Sequence, residues 1–306
     1  MVSPHPRPLS PQGRGGTSDE NSCGLYAQLA CIWEATARKP GNVHRFRDFT
    51  DAGYVDFLAS AAAIGPVLDA TKDRRVGETV LAAVRATRAV TKANTNLGII
   101  LLLAPLAATS ADHDLQTGIA EVLGALDVED ARLVYEAIRL AAPGGLGRVP
   151  EQDVSEEPSR TLAQVMAMAA DRDLIARQYA YGFRDVLVDG VAVLRRRLDS
   201  TLEDAIIHCH LHFLSNLPDS LIARKRGVAE AIEARDRARR VVAAGWPQTS
   251  AGRDALAQLD VWLRAKGNGR NPGATADLVA ASLFAALREG IIKLPVDWRS
   301  SAAFPE

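Results

Sequence analysis

Apolar residues recur at three- and four-residue spacing along almost the whole chain from Ser18 onward. In TSDENSCGLYAQLACIWEATA, capping residues precede Leu25, Leu29, Ile32, Trp33 and Thr36. This predicts a first helix that stops before Pro40-Gly41. A second helix is predicted from about Asp51 to Asp69, with Tyr54, Phe57, Leu58, Ala61 and Ile64 on one face. A third runs from about Val76 to Lys92, and a fourth starts near Asn94 and carries the run GIILLLAPLAA. Seven further stretches keep the helical period, among them SRTLAQVMAMAADRDLIARQYAYGFRDVLVDGVAVLRRRL and GATADLVAASLFAALREGI. No alternating strand pattern and no 30–45-residue repeat is visible. The expected fold class is all-α: one compact multi-helix domain over residues 18–306, with a long loop in APGGLGRVPEQDVSEEP. Residues 1–17, rich in Pro, Gly, Ser and Arg, are expected to form a disordered leader.

Composition narrows the partners. With 47% hydrophobic residues the chain can bury a large core. A net charge of −1, from 36 basic and 37 acidic residues, argues against a bulk nucleic-acid binder, so any anion site has to be a local cluster. The run GIILLLAPLAA is about half of the roughly 20 residues a membrane helix needs. It reads as a core helix, and no membrane partner is expected. Three widely spaced cysteines, Cys23, Cys31 and Cys209, suit reduced thiols in a cytoplasmic protein better than a disulfide framework.

Chemistry is expected where polar clusters interrupt the apolar pattern. RKPGNVHRFRD places Lys39, Asn42, His44 and Arg45 around a turn whose amides can face an oxyanion; taken alone, the motif reads first as a solvated turn between helices. Asp56 follows in the next helix. TKANTNLG puts Asn94, Thr95 and Asn96 at the start of an apolar helix, where they can cap it or hold a phosphate. LPDSLIARKRG sets Asp219 before Arg224, Lys225 and Arg226, which suits either a capped helix start or a magnesium-phosphate site. GRNPGATADLVAAS puts Asp277 near a helix start, as a dipole-favoured residue, a metal ligand or a general base. His208, His210 and His212 fan apart on a helix and do not read as a zinc site.

Taken in this order, the clusters resemble the triphosphoribosyl-dephospho-CoA synthase family. The family shows K-P-G-L-V-D-R, G-A-H-x-D-M, N-T-H-K-G, D-T-x-x-x-R-x-G and P-G-G-S-A-D-L-L-A. The chain has KPGNVHR (39–45), AGYVDF (52–57), NTNLG (94–98), DSLIARKRG (219–227) and PGATADLVA (272–280), and YEAIRLAAPGG resembles an Arg139-bearing family stretch. The resemblance spans essentially residues 20–295. It implies an all-helical transferase that moves the triphosphoribosyl group of ATP onto a hydroxyl of dephospho-CoA and releases adenine. It also implies Mg²⁺ and ATP as substrate. Asp56 and Asp277 are the expected catalytic carboxylates, and Asp56, Asp219 and Asp277 the expected metal ligands. Lys39, Asn42, His44, Arg45, Asn94, Asn96, Arg139, Arg224 and Arg226 are the expected phosphate and nucleotide ligands. A homodimer is one option for assembly.

The chain also departs from the family pattern. Asn96-Leu97 replaces His-Lys, Tyr54 replaces the His of G-A-H-x-D-M, and Asn42 and His44 replace Leu and Asp. These differences resemble a divergent subgroup of archaea and of bacteria with methanopterin-linked one-carbon metabolism. Two alternatives therefore stay open: phosphoribosyl transfer to another cofactor precursor, and a non-catalytic nucleotide-binding protein on the same fold.

Overall fold

The computed structural model describes residues 22–144, 147, 151–296 and 298. The leader read over residues 1–17 lies outside the described residues. Fourteen α-helices account for most of the rest, as the periodicity predicts.

Helix α1 (Cys23–Thr36) starts where the Ser22 hydroxyl accepts the Leu25 amide, later than the sequence pattern placed it. Helices α2 (Tyr54–Asp69) and α3 (Val76–Val90) follow. Then comes α4 (Leu97–Ala108), ten of whose twelve residues are buried. This burial explains its unbroken apolar sequence. Helices α5 (Leu115–Ala125), α6 (Val128–Ala141), α7 (Leu162–Ala169) and α8 (Leu174–Ala180) continue the chain. After α8 come a π-helical turn (Asp185–Gly190) and α9 (Val191–Arg197). The last elements are α10 (Leu202–Asn216), α11 (Ser220–Arg226), α12 (Val228–Ala243), α13 (Ser250–Arg264) and α14 (Gly273–Arg288).

Two corrections follow. The long periodic stretch of residues 159–198 is not one helix. The Asp173 carboxylate accepts the Ile175 and Ala176 amides and starts a new helix, α8. Positive φ at Gly182 and Phe183 then ends it. In addition, a four-residue extended segment, Ala265–Asn268, joins α13 to the turn before α14.

Helix α14 is the axis of the fold. Thirteen of its sixteen residues are buried, and it packs on α1, α4, α8, α9, α10 and α11. Its alanines let neighbouring helices approach closely, while Leu278, Leu283 and Phe284 fill the gaps. Each such side chain contributes about 1.5–3 kcal/mol when fully buried. A second apolar cluster, anchored by Ile207, Leu211, Leu214 and Trp246, holds α10 to α11, α12 and α13. The first turns of α4 and α14 thus meet in the interior, and the functional cavity opens there.

Candidate active site

A cavity of about 1060 Å³ lies between the loop after α1, the starts of α4 and α14, α11, and the wall formed by α6, α7 and α8. Asp277, in the second turn of α14, lies on its wall. Among the described residues no hydrogen bond or ion pair engages its carboxylate. Burial holds its pKa well above the usual range. The negative charges of Glu34, Asp219 and Asp173 push it further up, and Arg224 opposes them. The carboxylate is seated against Gly98 in the first turn of α4. A methyl group at residue 98 would lie 2.0 Å from Oδ2.

Glu34 shares this wall and was not singled out in the sequence. It is 4% exposed, and its Oε1 pairs with the Lys39 ammonium at 2.9 Å. A signal existed: Glu34 is the one charged residue in CGLYAQLACIWEAT. An acid on an otherwise apolar helix has to be paired or functional.

The start of α4 adds donors. The Asn94 Oδ1 accepts the Leu97 amide, so Asn94 caps the helix. Asn96 is buried; its Oδ1 accepts from Thr87, while its Nδ2 has no partner. Across the cavity, the Asn42 Nδ2 donates to Asn271 Oδ1 at 2.6 Å, and the Asn42 Oδ1 has no partner. Five cations line the cavity: Lys92, Arg139, Arg172, Arg224 and Lys225. Arg224 pairs with Asp173 at 3.6 Å, and the Arg139 Nη1 donates to the Val154 carbonyl at 2.6 Å. Burial lowers the Lys225 pKa, with Asp51 opposing.

The structure brings Asn42, Asn94, Asn96, Arg139, Arg224 and Asp277 together on the cavity and keeps the other expected residues off it. Lys39 is 0% exposed, and its ammonium is held by Glu34 Oε1 and the carbonyls of Glu34 and Ala37. The turn's amides do not face a ligand either. The Gly41 amide donates to Asp260 at 2.7 Å, and Arg264 clamps the Asn42 carbonyl. Arg45 pairs with buried Glu203 and stacks on Phe46 and Trp298. His44 accepts the Phe46 amide, and burial together with the Arg264 charge pushes its pKa down to about 3. Arg226 pairs with Glu230 at 3.0 Å.

Two expected carboxylates have structural partners as well. The Asp56 oxygens accept the Gly53 amide and the Thr91 hydroxyl, which hold its pKa below the usual range. Asp219 is fully buried. It accepts the Leu221 and Ile222 amides and both the amide and hydroxyl of Thr275. Every oxygen of both carboxylates accepts at least one hydrogen bond from the protein. No group of three or more His, Cys, Asp or Glu gathers around a metal-sized space among the described residues.

Residues 20–295 match the family of ATP:dephospho-CoA triphosphoribosyl transferases. A crystal structure from Archaeoglobus fulgidus, provisionally assigned as a triphosphoribosyl-dephospho-CoA synthase, is 31% identical. It superposes with a TM-score of 0.60 and covers 76% of this chain and 99% of its own. No curated protein matches the chain. No described helix is long and apolar enough to cross a membrane. Neither the fold nor these relatives favour the pterin-type acceptor or the non-catalytic reading. The chain belongs to the ATP:dephospho-CoA triphosphoribosyl transferase family and is a pentosyltransferase.

Proposed function

We propose that the cavity transfers the triphosphoribosyl group of ATP to a hydroxyl of dephospho-CoA, with Asp277 as the general base. The observation that carries this reading is an unpartnered carboxylate of raised pKa, facing a cavity lined by five cations and by five other carboxylates. The bond from ribose C1′ to adenine breaks, and adenine leaves with the electron pair. The ribose carbon develops oxocarbenium character, which nearby carboxylates stabilise. The acceptor hydroxyl attacks that carbon and gives its proton to Asp277. Adenine takes up one proton, so the net transfer is from the hydroxyl oxygen to the departing nitrogen.

The triphosphate stays on the ribose. The start of α4, with Asn96, Lys92 and Lys225, suits it: helix N-termini and cations both favour anions. Mg²⁺ fits this site through Asp277 and Glu34, since Mg²⁺ in nucleotide sites is held by one or two carboxylates plus phosphates. The Glu34 Oε2 and both Asp277 oxygens have no protein partner among the described residues. When bound, the ion would neutralise triphosphate charge. Asp56 and Asp219 do not fit this role. The three cysteines are unbridged, which supports a cytoplasmic setting.

The test is to incubate purified protein with ATP, dephospho-CoA and MgCl₂ and to follow free adenine and product mass. Stoichiometric adenine and triphosphoribosyl-dephospho-CoA are expected, and chelation by EDTA should stop both. An inert protein under these conditions overturns the reading.

A further inference from the structure

The reactive carboxylate and the cations account for only part of the cavity. Ligand pockets commonly measure about 300–1,000 Å³. At about 1060 Å³ this one lies just above that range, which leaves room for two nucleotides.

The wall combines a charged band with aliphatic side chains. Asp277 lies within electrostatic reach of Arg224 and Asp173, which pair with each other at 3.6 Å. Asp173 caps α8, so the next lining residue, Ile175, belongs to its first turn. Arg172, beside Asp173 in the α7–α8 turn, also lines the cavity. Beyond this band α7 and α6 carry aliphatic side chains, Val165, Met166 and Ala169 on α7 and Val134 and Ile138 on α6, with Arg139 and the polar segment 151–153 at their edge. Helix α7 packs on both α6 and α8, which makes these side chains one surface. Val165, Ala169 and Ile138 remain partly exposed, while Met166 and Val134 are buried behind them.

The two substrates differ in the same respect. ATP ends in its triphosphate, and an aliphatic wall is a poor surface for a polyanion. Dephospho-CoA is an adenosine, then a pyrophosphate, then a long uncharged pantetheine arm. Its parts match the wall: a hydroxyl at Asp277, a pyrophosphate at Arg224 and Arg172, and an arm of amides and methylenes on aliphatic side chains.

We propose that the aliphatic surface of α6, α7 and α8 is the subsite for the pantetheine arm of the acceptor, with Arg224 and Arg172 on the pyrophosphate. This assignment rests on the transfer reaction above and fixes which end of the cavity each substrate occupies.

The probe is 4′-phosphopantetheine, which carries the arm without the nucleoside. It should inhibit the wild-type enzyme competitively against dephospho-CoA and not against ATP. Val165→Asp, at a partly exposed position, should raise the KM for dephospho-CoA and the inhibition constant of 4′-phosphopantetheine at least tenfold. The KM for ATP should stay within twofold. Ala169→Trp, which blocks the same surface by bulk, should repeat the pattern and guards against a folding defect in the first variant. Inhibition competitive with ATP, no inhibition at all, or an unchanged KM for dephospho-CoA in both variants overturns the subsite. Failure of the transfer reading is distinguishable, because the wild-type protein would then release no adenine.

Discussion

Gly98 and Asp277 are in direct contact: a methyl group on Gly98 would lie 2.0 Å from the Asp277 Oδ2. No side chain other than hydrogen fits between the first turn of α4 and this carboxylate. Gly98→Ala should displace the carboxylate while leaving the helix intact, since alanine favours helix. A misplacement of about 1 Å costs about 100-fold in rate. Steady-state kinetics should show that loss in kcat, with a melting temperature within a few degrees of wild type. Unchanged kcat would remove Asp277 from the chemistry.

Asp277→Asn should lower kcat by about 10²–10⁴, the range of a lost general base. It should also stabilise the unliganded protein. The folded carboxyl has a pKa above its unfolded value of 3.8, so the native state binds more protons than the unfolded one. Stability therefore falls as pH rises from that value toward the folded pKa. The Asn variant lacks this penalty. Thermal melts from pH 4 to 8 should show a higher Tm than wild type at neutral pH and a flatter pH profile. A lower Tm at pH 7 contradicts the assignment.

Lys39 tests a different role. As a buried partner of Glu34, its loss leaves a carboxylate unpaired inside the protein, at a cost of about 3–5 kcal/mol. Lys39→Met should therefore melt well below wild type in thermal unfolding. A phosphate ligand would behave in the opposite way, with a raised KM for ATP and an unchanged melting curve.

The basic run after Asp219 should divide sharply. Arg224→Ala should raise a substrate KM at least tenfold, given about 1.5–3 kcal/mol for a charge-assisted hydrogen bond. Arg226→Ala, two residues on, removes an exposed pair with Glu230 worth about 0–1 kcal/mol and should leave both KM values unchanged. Equal effects in the two variants would mean that the cavity is not the site.

The helices and the polar starts of α4 and α14 were legible in the sequence because local pattern determines them. Asn94, Asn96 and Asp277 lie where capping and dipole arguments place chemistry. The calls that the structure places off the cavity have a common feature. Lys39, Arg45 and Arg226 look like phosphate ligands in one dimension, but Glu34, Glu203 and Glu230 neutralise them in three. Two of these acids come from neighbouring turns of chain, and Glu203 comes from a helix 158 residues away. Arg172 shows the reverse case. AADRDL lies inside the stretch read as helical, and the break between α7 and α8 places Arg172 on the cavity.

The Asp219 carboxylate joins two helix starts. It accepts from the first turns of α11 and α14 at once, so the helix carrying Arg224 and the helix carrying Asp277 start from one bolt. The distance between Arg224 and Asp277 is thus set by the folded chain before any substrate arrives. The start of α8 is held to the same place, because the Leu174 amide donates to the Ser220 hydroxyl at 3.2 Å and Asp173 pairs with Arg224. Loss of the Asp219 carboxylate would therefore loosen three helix starts together, and with them one end of the cavity wall.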